Sequence, residues 1–452
     1  MSFPRNFTWG AATSSYQIEG AADIDGRSPS VWDGFCRLPG RVFEGHHGDV
    51  ACDHYHRSAE DVALMKAIGL QAYRFSVAWS RVLPAGVGRV NPAGLAFYDR
   101  LVDQLLGAGI EPWVTLFHWD YPTALYQRGG WLNADSPRWF ADYTRVIVDR
   151  LSDRVTNWMT LNEPQCFIGL GHQKGEHAPG DRLEIPSVLC AAHNVLLAHG
   201  LSVQAIRSHA RKPPLVGWAP TGDIPVPVTE QPADVAAARE LYWAVSEKDV
   251  WNQAWWMDPV MKGRYPEHGL QAYGRAVPAY TDEDMRTIAQ PLDFFGLNIY
   301  NGYFVRAGRD GRPERLPREP GVATTHNQWR ITPPALRWGP RWVHERYGLP
   351  IVITENGMAA HDWVSLDGKI PDVPRIDFLS RYLAELRRAV ADGVPVTGYF
   401  HWSLLDNFEW HEGYRYRFGL VHVDYATQRR TLKDSARWYS AVIRENGANL
   451  PG

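Results

Sequence analysis

Cysteine is scarce in this chain: four residues, Cys36, Cys52, Cys166 and Cys190, among 452, with no Cys-x-x-Cys pair. That density excludes a disulfide scaffold and makes reduced thiols in a reducing compartment the expectation. An excess of one charge sign is missing too. Forty-seven Lys and Arg against 50 Asp and Glu leave a net charge of −3. This removes the overall electrostatic footprint of nucleic-acid or acidic-membrane binding, while a local basic patch can still hide in a neutral total. No apolar run approaches the roughly 20 residues that span a bilayer. Met1-Ser2-Phe3-Pro4-Arg5 lacks the charged and then apolar regions of a signal peptide. The expectation is a cytoplasmic protein without nucleic-acid or membrane partners. Repeats and low-complexity tracts are absent, and neither GxGxxG nor GxxxxGK(S/T) occurs. A doubly wound nucleotide-binding sheet therefore has no candidate phosphate turn.

Aromatic residues are what the chain has in plenty: 20 Trp, 20 Tyr and 16 Phe. So much ring surface excludes long disorder. It serves either a Trp-rich core or a pocket for sugars, whose C–H faces are apolar and whose edges are hydroxyls. Composition leaves both readings open.

Eight short apolar or aromatic runs read as buried strands: residues 7–16, 70–79, 111–118, 155–162, 215–219, 293–300, 350–355 and 396–402. Near-continuous apolarity is the mark of parallel strands covered on both faces. Helical patterns alternate with them. Asn91-Pro92 offers an N-cap and first-turn pair for a helix ending at Gly107 to Gly109, and Ser136-Pro137 repeats the device. Further helices are expected near 61–69, 187–209, 333–347, 378–391 and 433–445. Strand–helix alternation with eight units predicts an α/β fold, a single (β/α)8 TIM barrel with long rim loops spanning residues 1–452. The Pro-rich stretch 220–232 and the Gly-, Pro- and Arg-rich stretch 303–334 are read as those loops.

The strand ends hold Gln17, His118, Asn162-Glu163, Tyr300, Glu355-Asn356 and Trp402, and the carboxyl ends of barrel strands surround the active site. Glu163, in Thr-Leu-Asn-Glu-Pro, and Glu355, in Ile-Thr-Glu-Asn-Gly, stand at equivalent positions. A carboxylate at the end of a buried strand costs free energy unless it is solvated, paired or used. Taken singly, each reads as a solvated or Arg-paired group. Taken together on an aromatic rim, they suit glycoside hydrolysis, where one carboxyl protonates the leaving oxygen and the other attacks or activates water.

Six segments carry a resemblance over nearly the whole chain: Phe7 to Gly20, Tyr73-Arg74-Phe75-Ser76, His118 to Pro122, Thr160 to Pro164, Ile353 to Gly357, and His401 to Trp410. In this order they resemble the family 1 glycoside hydrolases, the retaining β-glucosidase family. The resemblance implies Glu163 as general acid/base and Glu355 as nucleophile of a double displacement, with carboxyls roughly 5–5.5 Å apart. It implies Arg74 and Tyr300 as supports of the nucleophile. Gln17, His118, Asn162, Glu409 and Trp410 would hold the sugar hydroxyls, with Trp402 as platform. Trp329 would stack on the leaving group, and Cys166 and His177 would line that outer region. No cofactor and no metal are implied. The expected substrate is a small neutral β-glucoside or short β-gluco-oligosaccharide, with side activity on β-galactosides and β-fucosides and with transglycosylation sharing the same intermediate. Oligomeric state stays open, a homo-oligomer included.

Family members that cleave 6-phosphoglycosides carry a Ser where this chain has Glu409, and a Lys and Tyr where Tyr416 and Phe418 fall. A carboxylate there suits a neutral sugar and repels a phosphate. The match departs at Trp79-Ser80-Arg81, where the family commonly has Pro, and in 221–290 and 303–325, which follow no motif. Two rival readings are weaker. His46, His47, His54 and His56 near Asp49 and Asp53 lack a zinc-site spacing. A non-catalytic sugar-binding barrel would be expected to lack one of the two glutamates.

Overall fold

A computed structural model describes residues 2–451. Eight parallel strands form one sheet: β1 Thr8–Ala12, β2 Ala72–Ser76, β3 Glu111–Phe117, β4 Asn157–Asn162, β5 Leu215–Ala219, β6 Phe295–Asn298, β7 Ile351–Asn356 and β8 Val396–Trp402. Each expected run matches one of them, β7 alone extending one residue further, to Asn356. Neighbouring strands pair in sequence order, and β8 pairs with β1. Between β5 and β6 the ladder gives way to single contacts. Asp293 N–H donates to Val216 O at 2.8 Å and Asn298 N–H to Pro220 O at 3.0 Å. The sheet is a nearly closed barrel, as the apolar strands require.

The strands close because large and small side chains alternate across the lumen. Trp113, Met159, Phe294, Val352 and Phe400 fill it together with Ala12, Ala72 and Ala219. A Cβ on Gly10 would lie 2.5 Å from the Phe400 ring, and one on Gly217 would lie 2.4 Å from the Phe294 ring. Glycine at those two positions is what lets the big rings fit.

Helices α1 His54–Ile68, α2 Pro92–Gly107, α3 Ser136–Leu151, α4 Ile185–His209, α5 Asp282–Ile288, α6 Ala335–Tyr347, α7 Val373–Ala391 and α8 Asp434–Arg444 accompany the barrel. α1 begins seven residues before the expected 61–69 segment and ends on Gly69, at φ 84°. Asn91 stands at the start of α2 as expected, but its side chain does not cap. Its amide instead donates to Asp25 O and Arg81 O, tying two loops together. α4 also corrects an expectation. An 18-residue window within its 25 residues, with mean hydropathy 1.3, is long and apolar enough to cross a bilayer; here 72% of that window is buried inside the protein.

The rim carries more regular structure than its composition announced. Ile224–Pro227, Gly302–Ala307 and Pro313–Arg315 form a three-stranded sheet inside stretches expected to be loops. Pro225 and Pro227 sit on an edge strand, where a missing N–H costs no ladder bond. Between β5 and β6 four short α-helices replace one long one, α5 being the last. All four cysteines are unpaired thiols.

Candidate active site

Register irregularities fall beside both glutamates. The β4–β5 pairing slips between Met159 and Asn162, and the β6–β7 pairing between Ile353 and Glu355. Such bulges re-aim side chains at barrel rims. Glu163 follows β4 at φ 48°, a left-handed conformation uncommon outside glycine, held by its N–H donating to Ala219 O at 2.8 Å. Directly after it, Gln165–Lys174 winds as a π-helix, a form found mostly at functional sites. This helix brings Cys166, Leu170 and Lys174 to the pocket wall.

The two carboxyls meet different partners. Glu355 Oε1 accepts from Arg74 Nη1 at 2.6 Å and Oε2 from the Tyr300 hydroxyl at 2.5 Å. Four bonds fix the guanidinium. Beyond Glu355, Arg74 donates to Asn162 Oδ1 at 2.5 Å, to Thr115 Oγ1 at 3.1 Å and to Thr354 O at 3.0 Å. Glu163 has only neutral donors: Asn298 Nδ2 at 2.6 Å and the Cys166 thiol at 3.1 Å. Burial, and after it the charge of Glu355, push Glu163 up to about 8. Burial also raises Glu355, while Arg74 and Tyr300 pull the other way. The pair shares one electrostatic problem, in which Glu163 keeps its proton longer.

Asn298, on β6, is the organiser that sequence reasoning missed. Its Oδ1 accepts from Thr354 Oγ1 at 2.7 Å, which turns its Nδ2 toward Glu163 and toward Asn162 Oδ1 at 3.0 Å. The available signal was an amide at the carboxyl end of a barrel strand, two residues before Tyr300.

A cavity of about 470 Å3 opens here, lined by His118, Glu163, Tyr300, Trp329, Glu355, Trp402, Glu409 and Trp410, with Cys166, His177 and others. Eight of the eleven expected site residues thus share one wall. The remaining three, Gln17, Arg74 and Asn162, stand behind it, each at most 1% exposed. Gln17 lies on a short helix, Ser15–Ile18, past the end of β1. Its amide donates to Asn407 Oδ1 at 3.0 Å and Phe408 O at 2.9 Å and reaches Glu409 Oε2 at 3.5 Å. Asn162 Nδ2 donates to His118 Nε2 at 3.2 Å, so the remaining proton of His118 sits on Nδ1, a buried donor with no partner among the described residues. Burial and Arg74 hold His118 well below the usual imidazole range, in its neutral form. Its ring lies nearly parallel to those of Trp402 and Trp410, with centroids 5.7 and 5.9 Å away.

Glu409 is pushed up to about 8, by burial first and then by Glu355 and Glu163. Trp119 joins the wall unforeseen, its indole donating to Asn162 O at 2.9 Å. Tyr416 and Phe418 line the same cavity. The histidines near Asp49 and Asp53 lie elsewhere, and two of them, at the start of α1, form local pairs: His54 Nδ1 is 2.7 Å from Asp61 Oδ2, and His56 Nδ1 is 2.6 Å from Asp53 Oδ1. Among the described residues, no group of three or more His, Cys, Asp or Glu could hold a metal ion.

Residues 1–448 match the model of glycosyl hydrolase family 1. β-Glucosidase A of Thermotoga maritima is 44% identical over 446 residues, covering 98% of each chain. A 1,4-β-D-glucan glucohydrolase of Thermotoga neapolitana is 43% identical over 446 residues, covering 98% of this chain and 99% of that one. The solved structure of a β-glucosidase from Thermotoga maritima in complex with glucoimidazole superposes with a TM-score of 0.90 at 44% identity, covering 99% of each chain.

Proposed function

The chain belongs to glycosyl hydrolase family 1 and is an enzyme of its β-glucosidase class. We propose that it cleaves terminal β-D-glucosyl residues from neutral β-glucosides, with Glu355 as nucleophile and Glu163 as general acid and then base. The observation that carries this reading is the unequal treatment of the two carboxyls. A cation and a phenol favour ionised Glu355, while burial and the charge of Glu355 keep Glu163 protonated. In the first step Glu355 attacks the anomeric carbon as Glu163 hands its proton to the departing oxygen. Esterification removes the charge on Glu355, so Glu163 becomes the stronger acid and its conjugate base can deprotonate water in the second step.

The remaining roles follow the same wall. Neutral His118 offers Nδ1–H to a hydroxyl, and Glu409, Trp410, Gln17 and Asn162 supply acceptors and donors around the glucosyl ring. Trp402 forms the platform and Trp329 the stacking face for the leaving group. The cycle needs only these side chains and water. The glucan glucohydrolase name of one relative supports short β-1,4-gluco-oligosaccharides as substrates. β-Galactosides, β-fucosides and alcohol acceptors fit the same chemistry. The whole chain, 1–452, acts as one catalytic barrel, and its four unpaired thiols support a reducing, cytoplasmic setting.

A neutral sugar is favoured because the two arginines that flank Tyr416 and Phe418 in the chain are already paired with carboxylates. Arg415 is taken by Glu412 at 2.5 Å and Arg417 by Asp406 at 2.7 Å. Measuring kcat/KM for 4-nitrophenyl β-D-glucoside, its 6-phosphate and cellobiose tests the reading. The neutral glucoside should exceed its phosphate by about two orders of magnitude or more. A preference for the phosphate would contradict the place given to Glu409, and failure to cleave any β-glucoside would sink the assignment.

A further inference from the structure

Beyond Trp329 lies a second cavity, of about 410 Å3, that shares Trp329, Asn301 and Asp223 with the catalytic pocket. Its own wall contributes Arg315, Arg318 and Arg330. Three guanidiniums around one cavity are unusual here because most arginines of this protein are paired with Asp or Glu. None of these three forms an ion pair among the described residues. Glu314, next to Arg315, is taken by two bonds from Arg306, both at 2.9 Å. Asp223 is the one acidic group in the wall, so the cavity carries an excess of two positive charges.

The guanidiniums are held in place without using up their donors. Arg315 lies over the Tyr303 ring at 3.9 Å and Arg330 over the Phe304 ring at 4.7 Å. Stacking occupies the flat face and leaves the in-plane N–H groups free for an oxyanion. Arg330 Nε is buried with no partner, and Arg318 makes one bond, to Gln328 O at 3.3 Å. Guanidiniums without ion-pair partners, two of them stacked on rings, beside the sugar pocket suit an anion. Trp329 forms part of both walls, so a leaving group stacked on it would border this cavity.

We propose that this second cavity binds an acidic group on the leaving group, so that β-glucosides of carboxylate-bearing aglycones are a favoured substrate class. This rests on the leaving group lying against Trp329, as the proposed function has it. The test compares 4-(carboxymethyl)phenyl β-D-glucoside with its methyl ester, using wild type and the Arg315→Gln/Arg318→Gln double variant. Both arginines are exposed, so the fold should tolerate the change. At low ionic strength the wild type should favour the acid about fivefold to tenfold in kcat/KM, and added salt should shrink the difference. The double variant should lose the preference while its kcat/KM on 4-nitrophenyl β-D-glucoside stays within about twofold. Calorimetric binding of the matching 1-thioglucosides, which are not turned over, reads the cavity independently of catalysis. If no β-glucoside is hydrolysed, the proposed function fails and the thioglucoside comparison still judges the cavity. Equal treatment of acid and ester by the wild type overturns the proposal. So does a preference that survives in the double variant.

Discussion

Two of the buried sets of charges in this molecule are balanced differently. Behind the loop that follows β8, Asp362, Asp372 and Asp406 meet Arg375, Arg417 and Lys433. Lys433 Nζ lies 2.6 Å from both Asp362 and Asp406, Arg375 pairs with Asp362 and Asp372, and Arg417 pairs with Asp406. Burial alone would raise Asp362, but Lys433 and Arg375 hold it down at about 2. At the barrel mouth Glu163, Glu355 and Glu409 share one buried cation, Arg74, and two of the three carboxyls rise to about 8. Three against three makes a lattice that ties residues 403–419 to α7 and to the start of α8. Three against one makes a site where protons are poised to move near neutral pH. Within one fold, the count of opposing charges separates a brace from the proposed reaction centre.

Removing the proposed nucleophile should give the largest effect. Glu355→Gln is expected to lower kcat by at least about a thousandfold with an unchanged circular dichroism spectrum. Azide should restore turnover to Glu355→Gly with inverted product. Near-normal hydrolysis by a sequence-verified Glu355→Gln preparation would mean that the unequal carboxyls are not a catalytic pair.

Unbalancing the brace should cost stability instead. Lys433→Met leaves Asp362 and Asp406 facing each other without their shared cation, and roughly 3–5 kcal/mol should be lost in urea unfolding at pH 7. The sign with pH is opposite to that at the mouth. Asp362, depressed in the fold, contributes stability that is present above its ordinary value near 3.8 and lost as pH falls through about 2. A loss under about 1 kcal/mol at pH 7 would show that the lattice is no brace.

Glu163→Gln separates chemistry from stability in a single variant. Alkyl glucosides, which need a proton on the leaving oxygen, should lose about 10²–10⁴-fold in kcat/KM, and dinitrophenyl glucoside far less. Glu163, raised in the fold, contributes stability that is complete below about 4.5 and lost as pH rises through about 8. The glutamine should therefore unfold at a higher temperature than wild type at pH 9, by on the order of 1 kcal/mol, and show no such gain at pH 4. Equal activity losses on both leaving groups, or no gain at pH 9, would put Glu163 among ordinary paired carboxyls.

The smallest effect belongs to Cys166. Its thiol donates to Glu163 and favours the ionised form, so Cys166→Ala should raise the alkaline limb of the kcat/KM profile by a fraction of a pH unit. A limb that moves down would reverse the sense of that hydrogen bond.

Much of this was legible in the chain. The eight barrel strands were visible because a strand covered on both faces has to be apolar along its length. The glutamates stood out because a carboxylate ending such a run demands a reason. Less visible were features whose meaning is relational. Asn298 looks like any strand-end amide until Thr354 fixes its orientation. The Arg315, Arg318 and Arg330 cavity was invisible in a net charge of −3, because a sum does not say which charges lack partners. α4 read as an ordinary helix, and its apolar length acquires a meaning only from what buries it.

By itself, then, the sequence determined the period of the fold, the place of the two glutamates at strand ends and the aromatic rim, since these depend on local pattern and on residue type. Only the tertiary structure decided which carboxyl keeps its proton. Folding brings Arg74 from β2 and Tyr300 from beyond β6 to Glu355, while Glu163 receives nothing but Asn298 and a thiol. Proton affinity is set by charges and solvent within a few ångströms, and of those neighbours all but Cys166 lie tens to hundreds of residues away along the chain.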